Sequence, residues 1–331
     1  MTYTMTDTMA SWVYRPVQLK FTAGEFVFYR ARFDAAVMNV HFTRLTDQIP
    51  GNTLLPDLAG PNCEVAFIPS CPTKERLPRI TFCERYVRYV PFQYERFYVD
   101  LCGTFPIYLQ NFSSKSRSTL VRKVRKYMEH AGVTPCFREY RSPEEIREFF
   151  RLARQVSPKT YQERMLSVGL PQGEQFEHKL QELALRGSVR GYILFFGERP
   201  IAYLYCPVRE DIVFYEHLGY DPAFRQWSPG TVLQYFALES LFSEKRFRMF
   251  DFTEGEGFQK KFFSTGSVMC ADLYYFRRTG RSIVLVLAHY WETRLSDAVA
   301  RGLEKVKLKN RLKNFFRHGM SRSGEVTAEE K

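Results

Sequence analysis

The chain has 331 residues, of which 45% are hydrophobic, 25% charged and 16% aromatic, a composition that excludes wholesale disorder, collagen and a disulfide-dense miniprotein. At roughly 150 residues per domain it has room for two domains, or for one enlarged domain with attachments. Lys and Arg exceed Asp and Glu by 48 to 36, a formal charge of +12, which favours anionic partners such as phosphate, nucleic acid or a membrane face and says nothing about fold.

The charge is concentrated. Lys115, Arg117, Arg122, Lys123, Arg125 and Lys126 follow one another without an acid, and residues 301–317 hold seven basic residues against Glu304. Each segment carries +6, so the rest of the chain is formally neutral. The N-terminus, Met1 to Trp12, lacks the basic start and apolar run of a secretory signal. The longest aliphatic stretch, Ile283 to Ala288, is far short of the ~20 residues that span a bilayer. Seven cysteines with no C-x-x-C pair suit buried thiols in a reducing compartment, not a zinc site or a disulfide framework. The expected location is cytoplasmic, with peripheral attachment at the inner membrane face as a further expectation.

In chain order, Val17 to Lys20, Phe26 to Tyr29 and Ile80 to Val90 are short β-rich runs, separated by an irregular stretch rich in Pro and Gly around Pro50 to Pro61. Ser113 is an N-cap candidate for a basic helix that ends near Gly132. Ser142-Pro143-Glu144-Glu145 forms a capping box with proline in the first turn, opening a helix to about Val156. A third helix covers roughly Gln175 to Arg186. Strands Val189 to Phe196, Ile201 to Pro207 and Ile212 to Leu218 then make an antiparallel meander. A helix from Thr231 to about Lys245, a short strand Met249 to Phe252 and a strand near Val268 to Phe276 follow. The last helical part runs from about Ser282 to Phe316, with Leu295, Val299, Leu303 and Val306 on one face.

The densest chemical signal runs from His217 to Thr231, where a strand end leads through Arg225, Gln226, Ser228, Pro229 and Gly230 into a helix. Unpaired first-turn amides and the helix dipole attract phosphate, although Ser-Pro-Gly also simply starts helices. Arg225 is the only charge in the part of that loop after Asp221, and neither basic segment coincides with it in sequence.

Gly219-Tyr220-Asp221-Pro222, Ser228-Pro229-Gly230-Thr231, Asp251-Phe252, Gly255 and Lys260 together resemble the GNAT acyltransferase superfamily. They look most like its CelD-like branch of cellulose and exopolysaccharide loci, related to Fem peptidyltransferases. Ser113 to Lys126 with Arg117, and Ser157 to Gln162 with Tyr161, add to the resemblance, which covers about Tyr108 to Arg278. It implies an α+β fold: a GNAT-like mixed, mostly antiparallel sheet flanked by helices, with a degenerate N-terminal GNAT-like half and a C-terminal amphipathic helix. The expected domains are residues 1–135, 136–280 and 281–331.

The resemblance implies acyl transfer from acetyl-CoA or a longer acyl-CoA, without a metal, to an amine or hydroxyl of a sugar or envelope-polymer precursor. The pyrophosphate would lie on the loop with Arg225, Gln226, Ser228, Gly230 and Thr231. Pro229 contributes no N–H, a departure from the usual glycine-rich pattern. Direct transfer needs a base, a donor for the developing oxyanion and an acid for the thiolate. Glu216 on its strand is the candidate base; strand alternation sends its neighbours Tyr215 and His217 to the opposite face, so Glu216 and His217 share a face only across a bulge. Lys260 is the candidate cation over the oxyanion, and Tyr220 and Asp251 complete the catalytic candidates, Asp251 also as the lysine's structural partner. Arg117 and Tyr161 are the substrate-binding candidates. The alternatives are a Fem-like aminoacyl-tRNA-dependent transferase, with tRNA on the basic helix, and a non-catalytic accessory protein held at an anionic membrane surface through residues 301–317.

Overall fold

The computed structural model describes residues 12–23, 26–45, 55, 63–132, 134–160, 163, 169–255 and 257–305. The chain forms two compact units, residues 1–93 with 271–331, and residues 94–270.

The first unit begins with a long hairpin, β1 (Trp12–Ala23) against β2 (Phe26–Met38), antiparallel with an irregularity at Phe21/Thr22. The short runs expected here extend to 12 and 13 residues. Along β1, Val17, Leu19 and Phe21 are buried while Gln18 and Lys20 are exposed, the period-2 pattern of a half-buried strand. β2 also pairs in parallel with β3 (Val65–Pro72), and β4 (Ile80–Phe82) forms a hairpin with β5 (Tyr86–Tyr89).

The second unit opens on β6 (Gln93–Asp100). Residues 107–109 belong to a short helix, α1 (Phe105–Gln110), with Pro106 in its first turn. Ser113 caps α2 (Ser114–His130) by accepting from the Ser116 N–H at 3.2 Å. Leu120, Val124 and Tyr127 form the buried face of α2, at helical spacing, and Lys115, Arg122, Lys123, Arg125 and Lys126 are exposed. β7 (Phe137–Tyr140) precedes α3 (Pro143–Val156), whose capping box has both reciprocal bonds. After a 3-10 turn at Ser157–Lys159 comes α4 (Glu174–Leu185).

β8 (Val189–Phe196) and β9 (Arg199–Arg209) are antiparallel and buried over nearly their whole length. Alternation along them separates two cores. Tyr192, Leu194, Ala202 and Leu204 join α2 and the next long helix; Ile193, Tyr203 and Tyr205 join α3 and α4. The strand expected over Ile212–Leu218 is divided into β10 (Ile212–Phe214) and β11 (His217–Tyr220), both antiparallel to β9. A 3-10 turn (Pro222–Trp227) leads to α5 (Pro229–Glu244), then β12 (Met249–Asp251), which lies parallel to β10 and antiparallel to β6. α6 (Phe258–Phe263) precedes β13 (Gly266–Arg277). The sheet is mixed, mostly antiparallel and flanked by helices, as the resemblance implies.

The end of β13 pairs with β5 and so belongs to the first unit, as does α7 (Gly280–Lys305). α7 sets His289 against β1 and β5. Its Nδ1 lies 2.6 Å from the Tyr89 hydroxyl and its Nε2 3.2 Å from the Lys20 carbonyl. A neutral ring satisfies both contacts, donating from Nε2 and accepting at Nδ1. Burial lowers the His289 pKa below its ordinary 6.5, with the Lys20 carbonyl and Glu292 opposing and Arg79 adding to the shift. The unfolded chain therefore takes up this proton first, and the stability tied to the neutral ring is complete above pH 6.5 and declines as pH falls through it. The melting temperature of the wild type is expected to drop more between pH 7.5 and 5 than that of His289→Gln, an isoelectric change in neutral solution; equal drops would refute the assignment. Residues 306–317 of the expected helical tail, and Met1 to Ser11, lie outside the described residues.

Candidate active site

The division between β10 and β11 has a definite geometry. The Glu216 N–H donates to the Tyr205 carbonyl at 3.2 Å, while His217 is the register partner of the same Tyr205. Two residues thus oppose one, which is a β-bulge. The bulge places Glu216 and His217 on one face of the sheet, with Glu216 Oε1 4.0 Å from His217 Nε2. The His217 ring stacks on Tyr205, 6.1 Å between centroids, on the face covered by α3 and α4. Burial lowers its pKa, the Glu216 charge opposing and Lys179 adding to the effect. A largely neutral imidazole beside a carboxylate can accept a proton.

At the same point two strands part. The Tyr215 N–H still follows β12, donating to the Asp251 carbonyl at 2.8 Å, and Thr253 Oγ1 donates to the Tyr215 carbonyl at 3.1 Å. Beyond them Phe252 turns its N–H to the Phe97 carbonyl, whereas β11 continues along β9. In the β11–β9 ladder the hydrogen-bonded positions are the odd ones, ending with Asp221 N–H on the Ile201 carbonyl. Antiparallel alternation therefore turns the backbone groups of Leu218 and Tyr220 away from β9, towards the opening.

α5 begins against that opening. Ser228 has φ +52°, Pro229 has no N–H, and the Thr231 and Val232 amides return to the Ser228 carbonyl at 2.9 and 3.1 Å. This leaves the Gly230 amide at the mouth of the helix. A Cβ at Gly230 would lie 3.3 Å from Leu218 and 3.6 Å from Tyr220, so the helix start packs closely against β11. Gln259 Nε2 donates to the Gly230 carbonyl at 3.1 Å, tying α6 to the same place. Arg225 and Gln226 are exposed on the preceding turn, and the Gln226 amide bridges the Ala223 carbonyl at 3.1 Å and the Trp227 indole at 3.2 Å. Asp221 anchors the turn through the Ala223 N–H at 3.0 Å and Arg199 at 2.7 Å.

The basic helix, remote in sequence, lies beside this loop. Lys126 Nζ is 5.2 Å from the centroid of Trp227, and the His130 ring is 4.9 Å from it. Arg225 is therefore joined by a second cation, a neighbour that sequence separation conceals.

Asp251 is fully buried and its carboxylate is held by Arg96: Nη2 to Oδ2 at 2.6 Å, and Nε to both oxygens at 3.1 Å. The Thr253 N–H adds a bond to Oδ1 at 2.8 Å. Arg96 is thus a hydrogen-bonded ion-pair partner of Asp251, and Arg96 was absent from the sequence candidates. Its signal was a lone base within the aromatic strand Tyr94 to Tyr98. Lys260 Nζ donates to the Glu254 carbonyl and stands 5.9 Å from the centroid of Tyr215. Burial lowers the Lys260 pKa, Asp251 opposing and Arg96 reinforcing the shift.

The structure thus gathers Tyr220, Gly230, Gln259, Lys260 and Asp251 around the parting strands, and puts Glu216 with His217 on the other face. That face is covered by the segment from Ser157 to Thr160: a side chain at Gly219 would run into Tyr203 at 2.5 Å and Thr160 at 2.7 Å. Ser157 Oγ lies 3.0 Å from the Tyr203 hydroxyl and bonds Glu163, which Arg154 grips with two nitrogens at 3.0 Å each. Tyr161 lies outside the described residues. Arg117 is half-buried in the first turn of α2. Among the described residues no group of three or more His, Cys, Asp and Glu is placed to hold a metal.

Parting strands, a helix start at their mouth and a carboxylate on the bulge are a set that can be compared with known proteins. Residues 114–261 match a GNAT acetyltransferase domain. The match, to the family model described as "Acetyltransferase (GNAT) domain", takes in α2 through the Lys260 region of α6. No curated protein matches the chain. Among solved structures the chain is similar to FemX, with 10% identity, 83% of this chain and 90% of that one covered and a TM-score of 0.47. It is similar also to L-PGS from Bacillus licheniformis, at 16% identity, 67% and 71% coverage and a TM-score of 0.42. The aminoglycoside acetyltransferase meta-AAC0020, from an uncultured soil metagenomic sample and in complex with sisomicin, covers 36% of this chain and 76% of its own length at 16% identity and a TM-score of 0.28.

Proposed function

We propose that the GNAT domain transfers an acyl group from acetyl-CoA or a longer acyl-CoA to an amine or hydroxyl of a sugar or other envelope-polymer precursor. The observation that carries this reading is the opening between β11 and β12, with the α5 start at its mouth and Glu216–His217 across the sheet. The donor phosphates sit at the Gly230 amide, with Arg225, Ser228 and Thr231 around it and Lys126 beside the loop. The acyl arm enters between the parted strands. Glu216, with neutral His217, takes the proton from the acceptor as its nitrogen or oxygen attacks the thioester carbonyl. The oxyanion is met by the outward amides of β11 and by Lys260, and the thiolate leaves with a proton from Tyr220. The acceptor class rests on the CelD-like resemblance, as does the choice of Arg117 and Tyr161 as substrate contacts, and the acceptor lies beside the Ser157–Thr160 turn.

Gln234 supports the same reading. It is fully buried on α5, and neither amide atom has a hydrogen-bond partner. One turn beyond Gly230 it shares the face that meets Leu218 and Tyr220. An unpaired buried amide destabilises a protein by about 1–3 kcal/mol, and the pantetheine arm of CoA carries amides that complement it. Gln234→Met is expected to weaken acetyl-CoA binding about tenfold, to leave 3′,5′-ADP binding unchanged, since that fragment lacks the pantetheine arm, and to raise the melting temperature of the free protein. Equal acetyl-CoA affinity in wild type and variant would remove Gln234 from the donor site.

A second reading, transfer from aminoacyl-tRNA, is favoured by one observation: the basic helix α2 reaches the loop through Lys126 and extends the cationic surface beyond what CoA needs. Retention of aminoacyl-tRNA in filter binding that falls steeply with salt would support it, and no retention at low salt would dismiss it. No described helix is long and apolar enough to cross a membrane.

A further inference from the structure

α7 is apolar on two opposite faces. Its inner face is packed within the first unit: Val286 and His289 are 0% and 1% exposed, and His289 touches Phe21 and Tyr89. Its outer face carries Val284, Leu287, Trp291, Leu295 and Val299, exposed by 68%, 37%, 65%, 67% and 53%. Single exposed apolar residues need no explanation. Five in helical register form one stripe, and a surface helix normally turns its polar side to water.

The spacing and the flanking charges decide what covers the stripe. Its steps are three, four, four and four residues, about 3.75 per turn, whereas the seam of a left-handed coiled coil repeats every 3.5. A heptad begun at Val284, Leu287 and Trp291 would next need apolar residues at Arg294, Ala298 and Arg301, and two of the three are arginine. A stripe near the straight-helix period suits a flat surface better than a second helix. Arg281 and Arg294 flank it; the Arg281 side chain is 83% exposed and its Nη1 lies 3.5 Å from Glu64 Oε1, a surface pair weak enough for a phosphate to replace. The flanking acid Glu292 is turned inward, accepting from the Thr22 N–H at 2.9 Å. Immediately downstream the sequence of residues 301–317 adds +6.

We infer that the outer face of α7 docks in the plane of an anionic phospholipid bilayer, with Val284, Leu287, Trp291, Leu295 and Val299 in the acyl boundary and the arginines at headgroup phosphates. Apolar burial and attraction to anionic lipid act together in such helices. The surface lies wholly in the first unit and stands apart from the donor reading of the GNAT domain.

The test is flotation of the full chain on vesicles of equal parts phosphatidylcholine and phosphatidylglycerol, and on phosphatidylcholine alone. The wild type is expected to float with the anionic vesicles, with a blue-shifted tryptophan emission, and to bind the neutral ones at least about tenfold less. Trp291→Ser/Leu295→Ser keeps every charge and removes apolar contact, so it should lose about tenfold in binding to anionic vesicles while melting at the wild-type temperature. Absence of wild-type flotation, or flotation of the double variant equal to wild type, overturns the inference. So does a wild-type dimer in sedimentation that the double variant turns into a monomer, since a second copy would then cover the stripe.

Discussion

Arg96→Met is expected to destabilise the 94–270 unit by about 3–5 kcal/mol, because it removes the guanidinium that grips the buried Asp251 carboxylate. The geometry sets this size. Asp251 is 0% exposed, Arg96 is 8% exposed, and three guanidinium contacts at 2.6 to 3.1 Å fix the pair. Burial works against the charge on Arg96, yet attraction to Asp251 outweighs it and raises its pKa. Urea unfolding followed by tryptophan fluorescence measures the change. Arg96→Met/Asp251→Leu, which removes both charges, should recover most of the loss. A single-variant effect below about 1 kcal/mol would mean that the pair is already neutral or wet.

Lys260→Ala is expected to lower turnover by about 10²- to 10³-fold, the usual effect of deleting one oxyanion donor, with little change in unfolding. Its Nζ is tethered to the Glu254 carbonyl and rests beside Tyr215, so the folded framework does not depend on it as Asp251 depends on Arg96. The pH dependence has a definite sign. Burial lowers the Lys260 pKa from 10.5, against the pull of Asp251, so the cation is lost at a lower pH than in an ordinary lysine. The alkaline fall of the rate should therefore begin below pH 10.5 in the wild type and shift upward in Lys260→Arg. A Lys260→Ala variant with wild-type turnover would exclude the lysine from the chemistry.

What the sequence revealed, and what it concealed, follows from the range of each interaction. The caps at Ser113 and Ser142 act over three residues and were legible, as were the meander and the Ser228–Thr231 helix start. The conflict between Glu216 and His217 was also legible, since alternation forbids both on one face without a bulge, and the bulge is present at Tyr205. The Arg96–Asp251 pair spans 155 residues, and nothing local announces it beyond a base inside an aromatic strand. Lys126 reaches Trp227 only because the apolar face of α2 packs it next to α5. The grouping of 271–305 with the N-terminal strands depends on strand pairing at the far end of β13. Leu295 and Val299 were read correctly as one face of a helix, but periodicity alone does not say whether that face meets protein or the outside.

The identity of the donor decides the chemistry of the site. Calorimetric titration of the wild-type protein with acetyl-CoA should give a saturable heat at one site per chain, with a dissociation constant on the order of 1 µM to 1 mM, the range in which enzymes hold their substrates. No saturable heat at about 1 mM, together with salt-sensitive retention of aminoacyl-tRNA, would contradict a CoA donor and assign the opening between β11 and β12 to an aminoacyl ester.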